Sequence, residues 1–352
     1  MGARFVKVAA LLWSVWLIPA AASAVPVPDR ACVGYRFSRI LDHGRPFGDE
    51  AAPSNARPID YGFWFPVSSC RGRRTTLLDL LAESQMQAGR PVPERGRAGP
   101  SLEDMGIVDS IEAARALRQE TEAIRTAASG PSINSPLVVY IHPSVLQAAP
   151  IAERLAGAGF AVASITWRGT NRQQFDVGVS GMTTEMLDAQ AVVRDLAARS
   201  GILPRRIYVI GMSFGALTGL CWAQADQRIV ALVTHDGGIE TPTGTRLSPR
   251  CPYFSPTRPR LKLLSLYDAS YAETTREVLD GLPGVQVQRV AVPLLAHSDY
   301  VGTVLLRARG DRTMDRPGER VRLFNSVADR TVEFLRCVRD YPEDECRVSE
   351  IR

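Results

Sequence analysis

Lysine is almost absent from this chain. Of its 42 basic residues only Lys7 and Lys262 are lysine, and the other 40 are arginine. The arginines are scattered, and the longest basic cluster is Arg71-Gly72-Arg73-Arg74. The net charge of +5 therefore comes without a basic run, which argues against a nucleic-acid partner. So strong an arginine bias reads as the codon usage of a GC-rich bacterial genome. Histidine is scarce too, at four residues, and there is no Cys-x-x-Cys or tight His/Cys cluster. That argues against a zinc site, and no other metal or organic cofactor is implied. No apolar run after the first two dozen residues is long enough to cross a membrane. No internal repeat is present.

The beginning of the chain is different. Arg4 and Lys7 precede an apolar run from Val8 to about Ala22, and Ala22-Ser23-Ala24 offers small residues for cleavage. Residues 1–24 read as a secretory signal peptide, leaving no stable membrane insertion once it is removed. The expected location is periplasmic or secreted. All six cysteines follow it: Cys32, Cys70, Cys221, Cys251, Cys337 and Cys346. An even count in an exported chain suggests disulfides. Pairing nearest neighbours in sequence would join Cys32 to Cys70, Cys221 to Cys251 and Cys337 to Cys346.

Residues 25–352 read as a single domain. Val33–Ile40 and Ile59–Val67 are strand-like and suggest an antiparallel pair. Residues 71–134 are less regular. Leu77–Met86 reads as a helix, Gly89–Pro100 as a loop, and Ile111, Ala114, Leu117 and Ile124 fall near helical spacing within Ile107–Ala127. This region reads either as a helical cap near the site or as helices packed on one face of a sheet. From Pro136 strands and helices alternate. Strand-like runs cover 136–141, 160–167, 206–210, 229–234, 261–267 and 285–295, with helical patterns at 151–158, around Met186–Leu196, at 216–223, 272–279 and around Val327–Val338. The expected fold is α/β, with a mostly parallel, doubly wound sheet.

One stretch stands out within that pattern. Arg206-Ile207-Tyr208-Val209-Ile210 runs straight into Gly211-Met212-Ser213-Phe214-Gly215, and an apolar helix-compatible segment follows. A Gly-x-Ser-x-Gly between strand and helix is the pattern of a nucleophile elbow. The serine sits on a turn so tight that side chains at Gly211 and Gly215 would press on neighbouring backbone. The same turn aims the N–H of Phe214 at a developing oxyanion.

A serine hydroxyl needs a base, and imidazole titrates in the right range. His43 lies in an N-terminal loop, His142 ends a strand before Ser213, and His235 precedes an acid candidate. Only His297 follows both the serine and the acids, just after the last expected strand. Asp236 and Asp268 each end a strand between Ser213 and His297, so either preserves the order Ser…Asp…His. Asp299 is too close to His297 in sequence to be the first choice of acid.

The arrangement resembles the α/β-hydrolase superfamily, over about residues 136–340. It is most similar to the platelet-activating-factor acetylhydrolase and dienelactone-hydrolase-like esterases. Gly211-Met212-Ser213-Phe214-Gly215, the early Arg57–Pro66 strand ending in Phe65-Pro66, and His297-Ser298-Asp299-Tyr300 carry the likeness. The resemblance implies an exported serine hydrolase cleaving small-molecule or lipid carboxylic esters through an acyl-enzyme. It places the acid at Asp236 by the acetylhydrolase pattern, or at Asp268 by the wider superfamily pattern. By the same match the Ser144 N–H would join that of Phe214 in the oxyanion hole. Where the family has His-Gly, this chain has His142-Pro143, and proline stiffens that turn and removes one donor. An acyltransferase or peptidase would use the same triad, and a ligand-binding protein could keep the fold without the chemistry.

Overall fold

The computed structural model describes residues 31–47, 56–90, 115–126, 130–131, 134–170, 176–254, 261–271, 277–282 and 284–351. The signal-peptide assignment and all of 91–114 lie outside these residues.

Ten strands form one sheet in the order β10-β9-β8-β7-β5-β6-β2-β1-β4-β3. They are β1 Cys32–Pro46, β2 Ala56–Val67, β3 Arg73–Thr76, β4 Glu120–Arg125, β5 Leu137–His142, β6 Ala161–Thr166, β7 Ile207–Met212, β8 Ile229–His235, β9 Leu261–Asp268 and β10 Val285–Val292. From β6 through β5, β7, β8 and β9 to β10 the neighbours are all parallel. β2 joins antiparallel to β6 and to β1, so the expected N-terminal pair is present.

Helices lying wholly within the described residues are α1 Leu77–Gln87, α2 Val145–Gly157, α3 Val179–Ser200, α4 Phe214–Ala225, α5 Pro242–Leu247, α6 Glu277–Asp280, α7 Thr303–Gly310 and α8 Pro317–Asp340. They cover both faces of the sheet. The central strands are apolar at nearly every position because alternate residues enter opposite cores. Val138, Tyr140, Tyr208, Ile210 and Val233 pack with α1, α2, α7 and α8. Val139, Ile141, Ile207, Val209 and Leu232 pack with α3, α4, α5 and α6.

Two expectations need correction. The helical spacing over Ile107–Ala127 holds through Leu117, where residues 115–117 are helical, and fails beyond it, where Glu120–Arg125 is strand β4. β4 pairs parallel to β1 and antiparallel to β3, burying Ala123 and Ile124. Sheet pairing outweighs a weak helical pattern there. With β3, it extends the sheet beyond β1. Second, α2 begins at Val145, six residues before the expected Ile151, and carries Pro150 inside. The capping box of Ser144 and Gln147 starts that helix ahead of the proline.

The cysteines pair as sequence proximity suggests, with Cα–Cα distances of 5.3 Å for Cys32–Cys70, 5.7 Å for Cys221–Cys251 and 5.6 Å for Cys337–Cys346. The second ties α4 to the segment that follows α5. The third closes the end of α8 onto the C-terminal tail.

Candidate active site

Parallel strands deliver their carboxyl ends to one edge of the sheet, and the candidate residues leave from that edge. β7 ends at Met212, and α4 begins two residues later at Phe214. Ser213 bridges them at φ 54° and ψ −122°, a conformation L residues avoid. Close packing holds it there. A Cβ on Gly211 would stand 2.5 Å from the backbone of Gly215 and Ala216, and one on Gly215 would stand 2.5 Å from the Ile141 carbonyl oxygen. The Ser213 N–H donates to the His235 carbonyl (3.1 Å), and the Ser213 carbonyl accepts from the Gly238 N–H (3.2 Å). The strained turn is thus stitched to both ends of the next turn, 236–237.

That next turn carries Asp236, itself at φ 44°. Its carboxylate is almost fully buried. Oδ2 accepts from His297 Nδ1 at 2.5 Å, and Oδ1 accepts from the Asp268 N–H at 3.2 Å. The Asp268 carboxylate turns elsewhere and accepts from the Ser270 N–H (2.8 Å). Of the two acid candidates, the geometry therefore sets Asp236 against the histidine and leaves Asp268 as a backbone donor to it. An Nδ1–H donated to Asp236 leaves Nε2 as the lone-pair nitrogen. That is the tautomer a base needs. The imidazole is 54% exposed in its side chain, against 5% for Asp236.

Behind this pair lies a buried polar chain that sequence reasoning missed. The Thr331 hydroxyl, on α8, donates to the Val327 carbonyl (2.9 Å), so it must accept from His235 Nε2–H (2.9 Å). His235 Nδ1 is then the acceptor for the Tyr140 hydroxyl (2.8 Å). Each group is satisfied with His235 neutral, and burial pushes its pKa down to about 3. His235 is thus a fixed strut between β5, β8 and α8, adjoining Asp236.

His142 ends β5 at φ 94° and lies against Gly215. Its Nδ1 is 3.3 Å from Oε1 of Glu185, a buried carboxylate of α3 whose Oε2 accepts from the Thr218 hydroxyl of α4 at 2.7 Å. The glutamate's place in the apolar stripe of α3, beside Met182 and Met186, was the available signal. Ser144, the expected second oxyanion donor, is the N-cap of α2. Its N–H donates to Gln147 Oε1 (2.9 Å), so in this geometry that donor is already engaged. His43 stands apart, exposed on β1.

The chain has a structural match among solved structures. A ferulic acid esterase from Streptomyces cinnamoneus superposes with a TM-score of 0.62 at 18% identity, covering 94% of this chain and 96% of that one. The chain has the α/β-hydrolase fold. Two other α/β structures align less closely. A cold-adapted esterase from an Arctic intertidal metagenomic library gives a TM-score of 0.39 at 16% identity, covering 84% of this chain and 95% of that one. A dienelactone hydrolase-like promiscuous phosphotriesterase from metagenomic libraries gives 0.42 at 14% identity, covering 85% and 97%. No protein-family model matches the sequence, and no curated protein sequence matches it. The α/β-hydrolase architecture is therefore legible here through shape and local motif.

Proposed function

We propose that this α/β-hydrolase chain is an exported serine hydrolase of carboxylic esters. The observation that carries the reading is the 2.5 Å contact of His297 Nδ1 with buried Asp236, one turn from the strained Ser213. In this reading His297 Nε2 takes the Ser213 proton as Oγ attacks the acyl carbon. Asp236 holds the imidazole and stabilises the imidazolium. The Phe214 N–H supports the oxyanion, and His297 returns its proton to the leaving alcohol. Water, activated by the same base, then releases the acyl group. Ser144 serves as second donor once Gln147 Oε1 gives way to the anionic oxygen, an exchange of a neutral acceptor for a charged one. A similar solved structure, aligned over 94% of the chain, is an esterase, which agrees with this chemistry.

Export is supported by the three disulfides, which persist in oxidising compartments. Among the described residues no helix is long and apolar enough to cross a membrane.

The test is hydrolysis of p-nitrophenyl acetate and butyrate by the mature protein beside Ser213→Ala and His297→Ala. Loss of turnover in both folded variants is expected. Retained turnover in folded Ser213→Ala would overturn the assignment. A folded parent without activity across acyl lengths would favour a binding protein. Release of acyl product to an added alcohol in preference to water would favour a transferase.

A further inference from the structure

His297 presents a physical problem. Its ring is more exposed than buried, so packing does little to fix it. A base must nevertheless hold its position to a fraction of an ångström to meet the serine hydroxyl. Asp236 supplies one anchor, through Nδ1. The second anchor has to come through the backbone that carries the ring.

That backbone is a short 3-10 turn, His297–Tyr300, and at its centre is a carboxylate with no solvent exposure, Asp299. Asp299 Oδ2 accepts from the Ala296 N–H (3.0 Å), while the Asp299 N–H donates to the Ala296 carbonyl (2.8 Å). The residue before His297 is thereby closed onto the residue two after it. Two arginines from different helices converge on the same carboxylate. Arg307 of α7 donates to Oδ1 at 3.1 Å, and Arg320 of α8 donates to Oδ2. Arg307 also donates to Ser298 Oγ (2.8 Å), and its other arm reaches Asp311 (3.3 Å). Both chain neighbours of His297 are thus tied down, one to Asp299 and one to Arg307. Just beyond, the Gly302 N–H donates to the Gln147 carbonyl (2.8 Å), and a Cβ on Gly302 would collide with Pro150. The histidine turn is docked onto α2 as well as onto α7 and α8.

A buried carboxylate loses hydration that surface charges keep, so it is held only where donors replace it. Here all the replacing donors belong to the frame of His297 or to the helices behind it. We propose that Asp299, clamped by Arg307 and Arg320, is the positioning residue for His297. The inference rests on the reading of His297 as the base. Asp299 acts through the turn and touches no reacting atom.

Asp299→Ala removes the acceptor for Ala296 and leaves both arginines without their shared partner. Asp299→Asn keeps an acceptor oxygen for Ala296 and Arg320 but loses the charge and turns the oxygen that accepts from Arg307 into an amide N–H₂. In mature protein, Asp299→Ala is expected to lower kcat for p-nitrophenyl acetate by about 100-fold with KM unchanged, the cost of a base displaced by an ångström. The downfield proton resonance of the His297 Nδ1–H, held by Asp236, should broaden or vanish in the same variant. Asp299→Asn, which keeps the Ala296 bond but not the Arg307 one, should fall between the parent and Asp299→Ala in rate and keep the resonance visible. If Asp299→Ala does not fold, Arg307→Met, which loosens the clamp from its half-buried side, should lower kcat in the same direction by a smaller factor. A folded Asp299→Ala, or a folded Arg307→Met, with parental kcat and an intact resonance would overturn the proposal. His297→Ala separates the two readings. If it abolishes turnover while the clamp variants do not, the clamp fails and the triad stands. If His297→Ala itself stays active, the triad reading fails and the clamp falls with it.

Discussion

The sharpest consequence of the site geometry concerns which aspartate matters. Asp236→Asn keeps shape and burial but replaces Oδ2 with an amide or a neutral oxygen facing His297 Nδ1. An amide N–H there would force the lone pair onto Nδ1 and the proton onto Nε2. In the proposed mechanism Nε2 would then carry a proton and could not accept one from Ser213. Loss of a tautomer-fixing aspartate costs about 10,000-fold in kcat in serine hydrolases, or about 5 kcal/mol of transition-state stabilisation. Asp268→Asn should behave differently. Its contribution to the site is a backbone N–H donated to Asp236 Oδ1, which the substitution leaves in place. Its own carboxylate caps Ser270, a bond asparagine can also make. We expect its rate to stay within about tenfold of the parent, below the 1.4 kcal/mol that factor represents. The assay is steady-state hydrolysis of p-nitrophenyl butyrate, with circular dichroism and thermal melts to show both variants folded. An Asp268→Asn defect as deep as that of Asp236→Asn would refute the reasoning, as would an Asp236→Asn variant close to the parent.

Two further outcomes follow from features away from the reacting atoms. The Cys221–Cys251 bridge closes a loop with a sequence separation of 30. Replacing both cysteines by alanine should lower unfolding free energy by about 3–4 kcal/mol in urea titrations, from the freed entropy of the denatured chain. The second concerns Glu153 on α2, whose carboxyl burial pushes up to about 7. A raised folded-state value favours the neutral form. Its stability contribution is complete below the unfolded value near 4.5 and is lost as pH rises through about 7. Glu153→Gln should therefore match the parent at pH 4 and exceed it at pH 8 by up to about 3 kcal/mol in denaturant midpoints.

The parts of the site that were legible in the sequence are those whose physics is local. Gly211 is demanded by the backbone of Gly215 and Ala216 close by, and although Gly215 answers to the Ile141 carbonyl of the neighbouring strand, the pentapeptide and its flanking strand and helix suffice to mark the elbow. His297 emerged by elimination among four histidines. The acid stayed ambiguous for a non-local reason. Asp236 and Asp268 end adjacent parallel strands, and both reach the same corner of the site. What separates them is the direction of two carboxylates, which depends on the β8–β9 register and on Ser270. β4 was illegible because its pairing partners, β1 and β3, lie far off in sequence. The Ser144–Gln147 capping box was readable from Ser-x-x-Gln and would have warned that the Ser144 N–H is engaged. The role of His235 was not readable and Glu185 was marked only by its place in the apolar stripe of α3, since burial and partners on α8 and α4 define both.

The position of β10 has a consequence for how the protein fails. Among the described strands it hydrogen-bonds to β9 alone, at the margin of the sheet, whereas β7 lies between β5 and β8. The serine is therefore mounted on one of the last elements to open, and the histidine follows one of the first. Native proteins loosen in patches, and marginal strands exchange with solvent through openings far smaller than global unfolding. Fraying of this one edge would leave the proposed base held only by the clamp on its turn, while the proposed nucleophile stays seated in the middle of the sheet. Loss of turnover and loss of fold would then be separate events, with catalysis the more fragile of the two.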